Sequence, residues 1–198
     1  MQADICKHVG TCDTCQRTKN YKKNGHLPEK TAEAVPWERL CVDLIGPYKI
    51  ERIGQEDLEL KAVTMIDPAT SWFGVVQYDD KKSMTVANIV ENTWLTRYPR
   101  PEICTMDRGS EFIGHAFKTE LMENEYGVVV KFATTANPQA NSVIERIHQV
   151  LRTFKLETNY LDTDDPWAGI LSATAFAIRN MYHTTLKATP GQLVFGRD

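Results

Sequence analysis

The chain has no apolar run approaching the roughly 20 residues that a membrane-spanning helix needs. Its opening residues, MQADICKHVG, lack the apolar core of a secretory signal. A basic excess is missing too: 23 Lys and Arg stand against 26 Asp and Glu, for a net charge of −3. That balance excludes an overall electrostatic grip on nucleic acid, so any such contact must use a local patch. Cysteine is sparse, with Cys6, Cys12, Cys15, Cys41 and Cys104 making an odd number. With no secretory context, a disulfide framework is not expected, and the thiols should be reduced. No internal repeat is present. What is there, 198 residues that are 42% hydrophobic and 25% charged, suits an intracellular globular protein with one main domain and an attached segment.

Residues 1–30 form that segment. They are polar and lean basic: Lys7, Arg17, Lys19, Lys22, Lys23 and Lys30 outnumber Asp4, Asp13 and Glu29. A solvated arm and a phosphate-contacting arm fit this charge equally well. Residues 31–36, between Pro28 and Trp37, read as a linker, and the main domain spans 37–198. Three β-leaning stretches open it: RLCVDLIG (39–46), LKAVTMID (60–67) and WFGVVQYD (72–79), the last two joined by a tight PATS turn. A helix over 83–98 follows, with Ser83 as N-cap and Pro99 as stop, then a strand at PEICTMD. GSEFIGHAFKTELMENEYG (109–127) has a helical stripe through Phe112, Phe117, Leu121 and Met122 and ends on a glycine. The strand VVVKFAT, a polar loop, a helix over 142–160 and a further helix, WAGILSATAFAIRNMYH, complete the order. Acids at Asp164 or Asp165 cap that last helix, with Pro166 in its first turn. A meander followed by strands alternating with helices implies a mixed sheet covered by helices. Side chains converging at one edge of such a sheet are natural candidates for a site.

Three acids stand out by placement. Asp43 lies inside the first apolar strand, Asp107 ends the fourth, and Glu145 sits in the first turns of the helix over 142–160. An ionised carboxylate in a hydrophobic strand is costly unless it is paired, hydrogen-bonded or metal-bound. Carboxylates gathered on it repel one another unless a cation neutralises them. Oxygen-only ligands favour Mg²⁺ or Mn²⁺, and two such ions about 4 Å apart serve in-line phosphoryl displacement. Asp67, by contrast, opens a turn before Pro68, and turn chemistry explains it.

The segments WERLCVDLIGPY, TMDRGSEF, NPQANSVIERIHQVL and RNMYHTTLKATPGQLVFGRD together resemble the integrases of LTR retrotransposons and retroviruses, most closely the gypsy type. The resemblance implies an RNase H-like fold, here a mixed five-stranded sheet flanked by helices with a short N-terminal appendage. It also implies an Asp, Asp, Glu triad holding two Mg²⁺ or Mn²⁺ ions, falling on Asp43, Asp107 and Glu145. Sixty-three residues separate the first pair and 37 the second. DNA is the implied partner, with Asn141, Gln149 and Arg152, beside Glu145 at helical spacing, as candidate contacts; a solvated helix face is the alternative. Self-association is implied as well, and a nuclear location when acting on DNA.

HVGTCDTCQRTK is similar to the second half of the family's zinc module, with Cys12 and Cys15 able to grip one side of a Zn²⁺ ion. The module's two histidines would lie upstream of Met1, and Cys6 and His8 do not match their spacing. A half-site without zinc is the expectation. Ser142 replaces a glycine usual in the family, and the chain stops before the family's basic C-terminal domain. Two readings therefore stand beside DNA integration: a nuclease on the same fold, and a non-catalytic nucleic-acid-binding or assembly fragment of a decayed or domesticated retroelement.

Overall fold

The computed structural model describes Lys7, Thr11 and residues 35–50, 58–80, 82–132, 166–184 and 186–196. Of the expected elements, the helix over 142–160 and the caps Asp164 and Asp165 lie outside the described residues, as does the side chain of Trp167.

Among the described residues, five strands form one sheet: β1 (Arg39–Ile50), β2 (Leu58–Ile66), β3 (Phe73–Gln77), β4 (Ile103–Met106) and β5 (Val129–Phe132). Their order is β3-β2-β1-β4-β5. β1, β2 and β3 pair antiparallel, while β4 and β5 run parallel to β1. The meander and the mixed sheet are thus both as the sequence pattern predicts. Alternation along the strands sorts the side chains between the two faces. Leu40, Val42, Val63, Met65, Cys104 and Met106 join the main core, whereas Cys41, Asp43 and Ile45 fall on the opposite face.

Helix α1 (Ser83–Val90) runs on into a π-helical turn, Glu91–Leu95, and ends before Pro99. Its Val86, Ala87, Val90 and Trp94 cover the core face. Ser83 is not the cap. The cap position is Lys82, and the Ser83 hydroxyl instead accepts the Phe117 N–H at 3.1 Å. The helix expected over 109–127 is broken at Gly114 into α2 (Ser110–Ile113) and the π-helical α3 (Ala116–Glu125). A side chain at Gly114 would collide with Ser83, so this break lets the two segments dock. Phe112, Phe117, Leu121 and Met122 are buried as their spacing predicts. Gly127, at φ 62, ends α3 in the left-handed region, and the Val128 N–H returns to the Met122 carbonyl at 2.7 Å.

α4 (Pro166–Asn180) packs on β3 and buries Leu171, Thr174 and Ala175. Arg179 near its end donates to the Phe73 carbonyl at 2.7 Å and lies 4.6 Å from the Trp72 ring centre. The last helix, α5 (Pro190–Phe195), was signalled by local chemistry that the helical-period reading passed over. Thr189 and Gln192 form a reciprocal capping box, Pro190 starts the helix, and Gly196 ends it at φ 67.

The turn before α5 holds Lys187 at φ 55, where its N–H donates to the His183 carbonyl at 2.7 Å. A side-chain-bearing residue in this region is strained by roughly 1–2 kcal/mol, partly offset by the greater backbone entropy glycine loses on folding. Lys187→Gly is therefore expected to stabilise the fold by about 0.5–1 kcal/mol in urea denaturation; a lower denaturation midpoint would contradict the strain argument.

Candidate active site

Parallel pairing between β1 and β4 sets Cys41 opposite Thr105. Two residues further along each strand, the same register brings Asp43 level with Asp107. Equal spacing from a paired position also puts both on the same face. Asp43 is half-buried; its Oδ1 accepts the Leu44 N–H at 2.9 Å, and its carbonyl accepts the Thr64 hydroxyl at 3.1 Å. Asp107 is exposed just past the end of β4, where its Oδ1 accepts the Gly109 N–H at 2.9 Å.

A third acid joins them that the sequence reading did not select. Glu111, in the first turn of α2, is buried, and its Oε2 accepts the Ser110 hydroxyl at 3.0 Å. Nothing local distinguishes it from an ordinary acid at a helix N-terminus, which the helix dipole accommodates anyway. Gly109 lies between two of them, Asp107 and Glu111. Its φ of −60 requires no special backbone freedom, and what marks the position is the space around it. A Cβ there would stand 2.8 Å from the Glu111 carboxyl and 3.0 Å from Asp107 Oδ1.

This gathering of acids acts on Asp43. Burial pushes its pKa up to about 6, the like charges of Asp107 and Glu111 push the same way, and the Leu44 N–H opposes them. The sign of the resulting pH dependence follows. With its folded pKa raised from 3.8, Asp43 keeps its proton in the folded state over a window from about pH 4 to about pH 6 in which the unfolded chain releases it. The associated stability is complete below that window and lost as pH rises through it, a loss of about 3 kcal/mol. Asp43→Asn should therefore stabilise the metal-free chain by about 1–3 kcal/mol at pH 8 and change little at pH 4. Equal effects at the two pH values in chemical denaturation would show that Asp43 ionises without penalty.

The donor chemistry fits a hard divalent cation, because the groups at this edge of the sheet are carboxylates. Among the described residues, no group of three or more His, Cys, Asp or Glu side chains is close enough to hold a metal ion. Glu145 lies outside the described residues, as do Asn141, Gln149 and Arg152, together with Ser142 and the zinc candidates Cys6, His8, Cys12 and Cys15. Cys41 and Cys104 are buried.

Asp67 is fully buried and has the structural role its turn position implies. Its carboxylate accepts the N–H groups of Trp37, Ala69 and Thr70 and the Thr70 hydroxyl, the last at 2.6 Å. Trp72, Trp94, Phe112 and Phe117 are core aromatics.

The fold is that of a retroviral integrase catalytic core, an RNase H-like mixed sheet flanked by helices. Superposition on the catalytic core domain of BIV integrase gives a TM-score of 0.62, with 16% identity, over 79% of this chain and 93% of that one. The simian T-cell lymphotropic virus intasome, solved in complex with PP2A regulatory subunit B56 gamma, matches with a TM-score of 0.65 and 14% identity, over 98% of this chain and 67% of that one.

Sequence similarity points to the same group. The chain is 25% identical to the Pro-Pol polyprotein of feline foamy virus over 200 residues, which is 100% of this chain and 16% of the relative. It is 28% identical over 166 residues to the retrovirus-related Pol polyprotein from transposon 412 of Drosophila melanogaster, which is 81% of this chain and 12% of the relative. The chain thus resembles the integrase core of retroviruses and LTR retrotransposons and spans a small part of the Pol polyproteins it matches. No protein-family model matches it.

Proposed function

We propose that this chain is the catalytic core of a DNA integrase, a polynucleotidyl transferase that processes 3′ ends and joins them to target DNA. The observation that carries the reading is the parallel register of β1 and β4, Cys41 opposite Thr105, which extended by two residues sets Asp43 beside Asp107, within the fold of retroviral integrase cores. Asp43, Asp107 and Glu145 would hold Mg²⁺ or Mn²⁺, two ions by family resemblance. When bound, the metal supplies positive charge that activates the attacking oxygen and stabilises the leaving one.

The chain's own residues set up that chemistry. β1 and β4 fix the two aspartates, and the Leu44 and Gly109 N–H groups orient their carboxylates. Asn141, Gln149 and Arg152 are the proposed DNA contacts. Domains at 1–30, 31–36 and 37–198, self-association, a zinc half-site at Cys12 and Cys15, and action in the nucleus complete the proposal.

A substrate panel tests it. With Mn²⁺, the full chain should catalyse strand transfer or disintegration on branched DNA ends and leave RNA–DNA hybrids and Holliday junctions uncut. Cleavage of the hybrids or junctions alone would make the protein a nuclease. Metal-independent DNA binding with no turnover would make it an assembly module.

A further inference from the structure

Glu111 is 9% exposed, and among the described residues its carboxylate has the Ser110 hydroxyl as hydrogen-bond partner and no Lys or Arg in an ion pair. A buried carboxylate so sparsely compensated is costly in an isolated fold. Its placement gives a reason for it. The Glu111 and Asp107 oxygens both lie within 3.0 Å of the point where a Gly109 Cβ would stand, and so within twice that distance of each other. A second observation marks the same region. The Tyr78 hydroxyl is buried without a hydrogen-bond partner among the described residues, and the negative charge of Glu111 reaches it, adding to burial in raising the phenol's pKa. Yet Glu111 does not form a direct three-ligand cluster with the two aspartates.

We propose that Glu111 is a positioning residue for the cation site, strengthening divalent-ion binding at Asp43 and Asp107 by its buried charge without being a ligand. This rests on the function proposed above. Three negative charges at one sheet edge repel one another in the metal-free chain, and the same three attract a divalent ion. The Glu111 and Asp107 carboxylates meet over Gly109, and the burial of Glu111 leaves its charge poorly screened by salt.

Calorimetric titration of the full chain with Mn²⁺ alone tests the assignment, with circular dichroism confirming the fold of each variant. Glu111→Gln should weaken Mn²⁺ binding about tenfold, Glu111→Asp should stay near wild type, and Asp107→Asn should lose the binding. If the glutamine variant does not fold, Glu111→Ala removes the charge with less bulk and is read in the same way. Wild-type affinity in a folded neutral variant, with binding lost in Asp107→Asn, overturns the role of Glu111 and leaves the two-aspartate site standing. Wild-type affinity in Asp107→Asn overturns both, because the ion then binds elsewhere.

Discussion

Replacing Asp107 with Asn, or Glu145 with Gln, should lower metal-dependent strand transfer and disintegration by about a thousandfold or more while leaving the fold intact. Asparagine keeps the shape of the aspartate and an oxygen able to accept the Gly109 N–H, seen at 2.9 Å. What it removes is the charge. A carboxylate that contributes to holding a cation cannot be replaced by a neutral amide without losing affinity and transition-state stabilisation together. Asp107 is also exposed at a strand end, where a neutral isostere changes stability little. Oligonucleotide strand-transfer assays in Mn²⁺, with thermal unfolding as the control, measure both halves of the prediction. Wild-type rates in either variant would end the assignment of the site.

The largest expected effect on stability lies at Asp67, which is fully buried. Asp67→Ala should destabilise the chain by about 3–5 kcal/mol, because it leaves several buried donors without an acceptor. The carboxylate satisfies three backbone N–H groups and one hydroxyl and ties Trp37, where the described domain begins, to the turn between β2 and β3. Trp37 in turn stacks on Tyr98 at 5.2 Å, so the loss would spread into the aromatic cluster. Asp67→Asn retains acceptor oxygen and should cost about half as much. Urea denaturation decides the matter: a loss below about 1 kcal/mol for the alanine variant would mean that water replaces the lost acceptor.

The contrast between the two aspartates shows where sequence reading succeeds. Asp67 was legible because its partners lie mostly within three residues, so turn chemistry in D-P-A-T specifies them. Asp43 was legible for the opposite reason, since a charge inside an apolar strand implies something non-local that offsets it. Glu111 offered neither cue. Its sequence neighbours describe a helix start, and its role depends on a strand end and a second strand meeting it in space. Ser83 was misread in a related way: its position suits a cap, but Gly114 brings α3 close enough for Phe117 to donate to the hydroxyl instead.

By itself, then, the sequence determined the order of the described strands, the mixed sheet, the Asp67 turn and the acids inside β1 and just past β4, because hydrophobic period, turn residues and misplaced charge are local signals. The tertiary structure alone decided that Gly114 divides a helix and that a third carboxylate, Glu111, meets Asp107 over Gly109. Those features depend on how separately encoded segments approach one another, and the distances between packed elements are not written in the spacing of residues along the chain.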